Sequence, residues 1–154
     1  MLAVFGVVVY SYSLFSEDVG VHFDAQGKAD EFMHKSSIFY IIAGLILANN
    51  VLLLNLGKQL TKLPSHLLPI PHQQAWSSER DQLNEHLLNW VFCMVAMINT
   101  VIAMSVFALA TVNNAFAHKI GDFEGLLYLV VISLIIILVA LPVRLMIAPK
   151  VDPS

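Results

Sequence analysis

Four apolar runs, separated by polar segments, dominate the sequence. A helix that crosses a membrane needs about 20 mostly apolar residues, and the second, third and fourth runs reach that length. The first run, Met1–Phe15, reaches only about 22 Å as a helix. Three explanations of this short length are open. The helix continues toward Val19, the bilayer adapts locally, or the natural chain has a few more residues upstream. The pattern predicts four transmembrane helices, at residues 1–17, 38–56, 87–112 and 125–147.

The composition agrees with a membrane environment. Apolar residues make up 58% of the 154 residues, and charged residues make up 12%. A soluble domain usually carries about 25% charged residues, so this chain has about half the usual fraction. We therefore predict an all-α integral membrane protein, with residues 1–154 forming one small bundle of four transmembrane helices.

A secretory signal peptide is the alternative interpretation of the first run. Signal peptides begin with a basic segment and end at a small-residue cleavage site. The first run has no basic residue, and no such site occurs before Glu17. These features favour a retained helix.

The orientation is predicted from the basic residues of the loops, because lysine and arginine are enriched on the cytoplasmic side. Loop 57–86 and the C-terminal end together hold more of them than loop 18–37 and segment 113–124. The prediction is that both termini and loop 57–86 are cytoplasmic and that loop 18–37 faces outward. The larger group is Lys58, Lys62, Arg80, Arg144 and Lys150, and the smaller is Lys28, Lys35 and Lys119.

Several polar and small residues lie inside the predicted spans. An amide that faces lipid is costly, so these side chains should face protein or a wet cavity. Small residues four positions apart permit close helix packing. Two interpretations remain open: the residues hold the four helices together, or some contact a partner protein, a lipid or a quinone. They are Gly44, Ala48, Asn49, Asn50, Ala96, Asn99 and Thr100.

Three residues are predicted to anchor the chain at the membrane surface. Trp76 and Trp90 suit the interfacial belt, where an amphipathic indole is favoured. Arg144 follows Pro142 and is expected to extend its guanidinium to the headgroups. Ser78, with a carboxylate three positions on, predicts that the third spanning helix starts at about residue 79.

The chemistry-bearing residues form no recognised catalytic or cofactor motif. The chain has one cysteine, so it cannot form a disulfide within itself. A weak metal candidate combines His22 and Asp24 with Glu31 and His34. If residues 29–36 begin the second helix, Glu31 and His34 lie on the same face of that helix. We expect no enzyme activity, no metal, no cofactor other than a possible bound lipid, and no nucleic-acid partner.

The loop after the first run, GVHFDAQGKADEF, has a recognisable spacing. It resembles the signature of a bacterial membrane-protein family, a domain of unknown function that also forms the N-terminal region of SdpI-like immunity proteins. The matching residues are His22, Phe23, Gly27 and Asp30, whereas the family's proline before the histidine is absent. A weaker similarity covers Pro71, Trp76 and Arg80. Gly27 suits a turn with positive φ, and Asp30 is predicted to cap the next helix.

The resemblance implies a bacterial cytoplasmic (inner) membrane location and a binding role for the outward loop. Two functions from different classes remain open, the first favoured by the small size, the amides within the spans and the lack of a catalytic motif, and the second by the resemblance. The first is a non-catalytic accessory subunit that contacts other membrane protein subunits and lipids through its helices. The second is an SdpI-like immunity or signal-sensing protein that uses His22 and Phe23. A metal-dependent membrane enzyme or transporter is a minor alternative.

Overall fold

The computed structural model describes residues 2–114 and 123–150, and most of these residues are helical. Lys119, which entered the orientation prediction, lies outside them. A 3₁₀ turn at Ser65–Leu67 precedes the short helix α3. In chain order the elements are α1 (Leu2–Leu14), β1 (Asp18–Phe23), β2 (Ala29–His34), α2 (Lys35–Leu60), α3 (Gln73–Ser78), α4 (Arg80–Asn113) and α5 (Glu124–Leu145).

Three helical segments of the described chain are long and apolar enough to cross a membrane: Lys35–Leu60, Arg80–Asn113 and Tyr128–Leu145. Helix α1 is apolar but has only 13 residues, which span about 20 Å. The expected continuation of this helix toward Val19 is wrong, because β1 begins at Asp18.

The predicted outward loop contains a two-stranded antiparallel sheet, so the all-α prediction is wrong at this point. The alternation of Val19, Val21 and Phe23 in β1 is the strand pattern that this prediction missed. A bulge lies between Gly20 and His22. Such a bulge adds one residue and increases the local twist of the hairpin.

Two other predictions for this loop have opposite outcomes. Gly27 has φ of 79°, which confirms the predicted turn with positive φ. Asp30 was expected to cap the second helix, and this is wrong because Asp30 lies within β2. Helix α2 instead begins at Lys35, directly after the strand.

The chain forms two compact units. Unit 1 consists of the described residues of Met1–Asn49 and Ile98–Val131, and unit 2 of those of Asn50–Met97 and Ile132–Ser154. In unit 1, the hairpin contributes Val19 to a core that also contains Phe15, just after α1, and helical residues, which are Val8, Ile38, Ile42, Ala103, Val106 and Ala110. In unit 2, Trp76 of α3 lies in a core with Leu68, Leu83, Leu87 and Leu145.

The start of α4 agrees with the sequence pattern, but the reason for it does not. The helix begins at Arg80, one residue from the expected position. Ser78 was expected to cap it, yet Ser78 ends α3 and its hydroxyl donates to the carbonyl of Gln74 at 3.3 Å. The short helix α3 was not predicted, because prolines crowd the sequence before it.

Candidate functional site

The hairpin is attached to the last turn of α4 by one amide side chain. The backbone N–H of Gly20 donates to Oδ1 of Asn113 at 2.7 Å, and Nδ2 of Asn113 donates to the carbonyl of Gly20 at 3.0 Å. A carboxamide has one acceptor oxygen and an N–H donor side by side, as a peptide group does. Asn113 therefore takes the place of a neighbouring strand at Gly20.

Gly20 is the residue that permits this approach. A Cβ atom at position 20 would lie 2.6 Å from Cβ of Ala29 and 3.2 Å from Oδ1 of Asn113. Real Cβ contacts are never as short as the first of these, so a side chain here would displace β2. Proline at this position would also remove the N–H that Asn113 accepts.

The next residue of the chain holds the end of α1. Nδ2 of Asn114 donates to the carbonyl of Leu14 at 2.8 Å. The last carbonyls of a helix have no partner within the helix, so this bond satisfies one of them. Asn113 and Asn114 therefore connect α4 to β1 and to α1.

The turn of the hairpin is closed by one carboxylate. Oδ1 of Asp24 accepts the backbone N–H groups of Gln26 at 2.9 Å and of Lys28 at 2.8 Å. The N–H of Gly27 donates to the carbonyl of Asp24 at 2.9 Å. These bonds fix the turn, and they give Asp24 a structural role instead of the metal-binding one considered from the sequence.

Two of the signature residues pair on the exposed side of the hairpin. Nδ1 of His22 lies 2.5 Å from Oδ1 of Asp30, and both side chains are about half exposed to solvent. The hydrogen bond to Asp30, and then the charge of that carboxylate, raise the pKa of His22 above its usual 6.5. The pair carries a positive charge on the imidazole over a wider pH range than a free histidine would.

A second group of ionisable side chains lies at the base of the hairpin, next to the start of α2. Oε1 of Glu17 lies 2.7 Å from Nζ of Lys35, and Oε2 of Glu17 lies 3.0 Å from Nε2 of His34. The hydrogen bond from Lys35 is the main cause that lowers the pKa of Glu17. These contacts connect Glu17, the residue directly before β1, to His34 at the end of β2 and to Lys35 at the start of α2.

The metal candidate loses its predicted geometry. Glu31 and His34 lie in strand β2, where residues three apart point to opposite faces, so they do not share the face that a helix would provide. Within residues 2–114 and 123–150, no three His, Cys, Asp or Glu side chains lie close enough together to hold a metal ion.

Two of the asparagines in the predicted spans meet each other. Nδ2 of Asn49 donates to Oδ1 of Asn99 at 2.9 Å, and the side chain of Asn99 is fully buried. This bond connects α2 to α4 inside unit 1. It agrees with the interpretation that intramembrane amides hold helices together, at a typical gain of about 0.6 kcal/mol for such a bond.

The small-residue pairs lie at exposed positions of α2 and α4. Gly44 and Ala48 are exposed, and a Cβ atom at Gly44 would meet no atom of the described chain within 4 Å. Ala96 and Thr100 of α4 are also exposed. Asn50, which is half buried, is adjacent to Asn49 but lies about 100° around the helix from it.

A close helix contact occurs at Gly57, within the segment 57–86 that the sequence pattern predicts to be a loop. Gly57 is buried in α2, and a Cβ atom there would lie 3.1 Å from Cγ1 of Val91 in α4. The signal available in the sequence was a glycine next to a long apolar run. That signal is weak, because glycine also ends helices.

The three predicted anchors have defined contacts within unit 2. The side chain of Trp76 is fully buried, its Nε1–H donates to the carbonyl of Leu145 at 3.3 Å, and the guanidinium of Arg144 lies 5.3 Å from its ring centre. Nε1 of Trp90 donates to the carbonyl of Ile137 at 2.6 Å. That carbonyl lies just over one turn before Pro142, where a proline weakens the helical hydrogen bonds. The membrane-belt role of these residues stays a prediction.

Arg80 fixes the chain that follows α2. Its guanidinium donates to the carbonyls of Thr61 at 2.9 Å and Leu63 at 2.6 Å, to Oγ of Ser65 at 3.0 Å, and more weakly to the carbonyl of Leu60. The end of a helix leaves several carbonyls without partners, and arginine offers five N–H donors in one plane. Arg80 thus satisfies carbonyls at and just after the end of α2 with a single side chain.

An apolar cavity of about 430 Å³ lies at the end of α5. Its lining includes Pro69 and Pro71 from the segment before α3, and Pro142 and Leu145 from α5. The predicted bound lipid stays a prediction, because the cavity fits apolar material without selecting one kind.

Comparison of the chain with models of protein families, with curated proteins and with solved structures found no match.

Proposed function

We propose that this chain is a non-catalytic protein of a bacterial cytoplasmic membrane, with four spans and cytoplasmic termini, that serves as an accessory subunit of a larger membrane complex. The observation that carries the proposal is the exposed face of α2 at Gly44 and Ala48. Small residues at this spacing let another helix approach closely, and no helix of the described chain does so. A helix of another membrane protein is the partner that suits this face.

The four-span arrangement rests on α1 as well as on the three longer helices. Its 13 residues are apolar and fall short of the usual bilayer thickness by about 10 Å. A bilayer thins around a short helix at a modest cost, so α1 is accommodated as a span if the membrane adapts around unit 1.

Gentle detergent extraction, followed by native mass spectrometry, tests the accessory role. We expect the tagged chain to leave its native membrane in a discrete complex with other membrane proteins. Gly44→Leu should remove the partner, because its side chain fills the space that a close helix needs. Ala43→Leu, also on an exposed position of α2, is the matched control and should keep the partner. A chain that leaves the membrane alone, or a complete complex in the Gly44→Leu variant, would contradict the proposal.

A second candidate function is supported by the hairpin, in keeping with the resemblance to SdpI-like immunity proteins. Asn113, the Asp24 turn and the Glu17 contacts hold the hairpin in one arrangement that leaves the side chains of His22 and Phe32 exposed to solvent. A fixed, exposed loop is suited to recognition, because little entropy is lost when it binds. Cells should then lose protection against a secreted toxic peptide, or the response to a signal, when His22→Ala is introduced at an unchanged membrane level. Unchanged protection and signalling in the His22→Ala variant would contradict a recognition function of the hairpin.

A further inference from the structure

The two strands of the hairpin differ in what lies along their outer edges. At Gly20 of β1, both backbone groups point to the side chain of Asn113 and therefore away from β2. Gly20 is paired with Phe32, so these two residues form a pair without mutual hydrogen bonds. In such a pair both partners direct their N–H and C=O outward. The N–H and C=O of Phe32 thus point away from β1, along the outer edge of β2.

This outer edge is open in the described part of the chain. The sheet there has only the two strands β1 and β2, and no hydrogen bond joins the backbone of Phe32 to another described element. The side chain of Phe32 is also 60% exposed. An unpaired strand edge beside an exposed aromatic side chain is a ready template for another strand.

The charge of the hairpin distinguishes between possible occupants. Residues 17–35 carry five carboxylates against two lysines and the imidazole of His22, which pairs with Asp30, so the segment keeps an acidic excess; Glu31 directly precedes Phe32. A second copy of the same hairpin would bring two acidic surfaces together, and like charges across a strand pair are destabilising. A positively charged segment is attracted by the same surface.

We propose that the outer edge of β2 binds an extended, positively charged peptide segment of another protein, which adds to the hairpin as a third strand. Its backbone pairs with the N–H and C=O of Phe32, an apolar side chain packs on the Phe32 ring, and the neighbouring basic side chains, on the other face of the strand, lie near Glu31. This inference rests on the second candidate function, in which the hairpin is a recognition surface, and it adds the chemistry of the ligand.

Peptide binding to the full chain in nanodiscs of zwitterionic lipid tests the proposal. The probe is an acetylated and amidated peptide of about six residues, the usual length of a strand, with a central Lys-Val-Lys segment flanked by threonines, so that the valine and the two lysines lie on opposite faces. Isothermal titration should show saturable binding. The same peptide with glutamates in place of the lysines should not bind, and neither should a version N-methylated at alternate residues. Equal binding of the N-methylated peptide, or no binding of the lysine peptide, would overturn the proposal.

A pair of variants at one position separates the edge from the side chain. Phe32→Pro removes the outward N–H, which the β1–β2 ladder does not use, and proline is tolerated on an edge strand. It should weaken binding about tenfold or more, as expected when one hydrogen bond is lost. Phe32→Leu keeps the N–H and an apolar side chain, so it should bind nearly as the wild type does. Protection of the Gly20 amide from hydrogen exchange shows that the hairpin is intact in both.

The same variants separate this proposal from the function on which it rests. If His22→Ala abolishes protection or signalling in cells and Phe32→Pro leaves it intact, strand addition is overturned and recognition by the hairpin stands. If neither substitution has an effect in cells, the recognition function fails. Loss with both substitutions, together with intact activity of Phe32→Leu, supports strand addition.

Discussion

The two ends of α4 hold neighbouring chain segments with different side chains. At its last residue, Asn113 bonds both the N–H and the C=O of Gly20 at the edge of a strand. At its first residue, Arg80 donates to the carbonyls of Thr61 and Leu63, just after the end of α2. One contact is made by a neutral amide and the other by a cation.

The difference follows from the backbone groups that each partner leaves open. A strand edge presents N–H and C=O groups together, so the residue that satisfies it needs both an acceptor and a donor, as asparagine has. A helix end presents carbonyls only, and these carry the negative end of the helix dipole. A guanidinium offers donors only and a positive charge, so it suits the helix end. Unsatisfied backbone groups therefore select the type of side chain that binds them.

The largest expected effect is at Arg80. Arg80→Ala should lower the free energy of unfolding by about 3 kcal/mol, because carbonyls after α2 lose donors that belong to a charged group. Arg80→Lys keeps the charge but not the planar array of donors, so it should fall between alanine and the wild type. Reversible unfolding in mixed micelles measures these values. Equal stability of the lysine variant and the wild type would show that charge alone suffices at the helix end.

A smaller effect is expected at Asn113. Asn113→Ala should destabilise the hairpin by about 1–2 kcal/mol, because it removes two hydrogen bonds to Gly20. Asn113→Asp keeps the acceptor for the Gly20 N–H and loses the donor to the Gly20 carbonyl. Hydrogen exchange of the Gly20 amide should therefore be fast in the alanine variant and slow in the aspartate variant. Fast exchange in both would mean that the donor and acceptor do not act separately, and it would weaken the comparison with Arg80.

The smallest expected effect is the pH dependence of the hairpin. The pKa of His22 is raised in the folded chain by Asp30, so protonation of His22 favours folding. This stabilisation is complete below the unfolded value of 6.5 and is lost as the pH rises through the folded pKa. Asp30→Asn should return the His22 titration, followed by NMR, to near its ordinary value. Glu31→Gln is the control and should shift it less, because Glu31 contributes only through its charge. A normal His22 titration in the wild type would contradict the pairing.

The sequence predicted the long helices well and the hairpin poorly, for a physical reason. A run such as the one in α5 is apolar over the full width of a bilayer, and that signal is local. The hairpin depends on contacts between distant residues, since Gly20 and Asn113 are 93 positions apart. The turn at Gly27 was predictable because glycine is the residue that adopts positive φ most easily.

The candidate site was predicted in part, again according to how local the signal is. The signature spacing indicated that His22 and Asp30 matter, but it gave a helix cap instead of a histidine partner for Asp30. The bond between Asn49 and Asn99 agreed with a general rule for amides in spans. The outer edge of β2 has no sequence signal of its own. It is recognised only in the structure, where Asn113 bonds to the outer edge of β1 and the outer edge of β2 is open in the described chain.

The placement of the tryptophans has a spectroscopic consequence. The chain has two, Trp76 and Trp90, and both belong to unit 2. Indole emission therefore reports on the core around Trp76 and on the bond from Trp90 to Ile137. A change confined to the hairpin should leave the emission spectrum unchanged. Thermal unfolding followed by this emission should therefore show a shifted transition when Arg80 is substituted. It should show no change when only the hairpin is loosened.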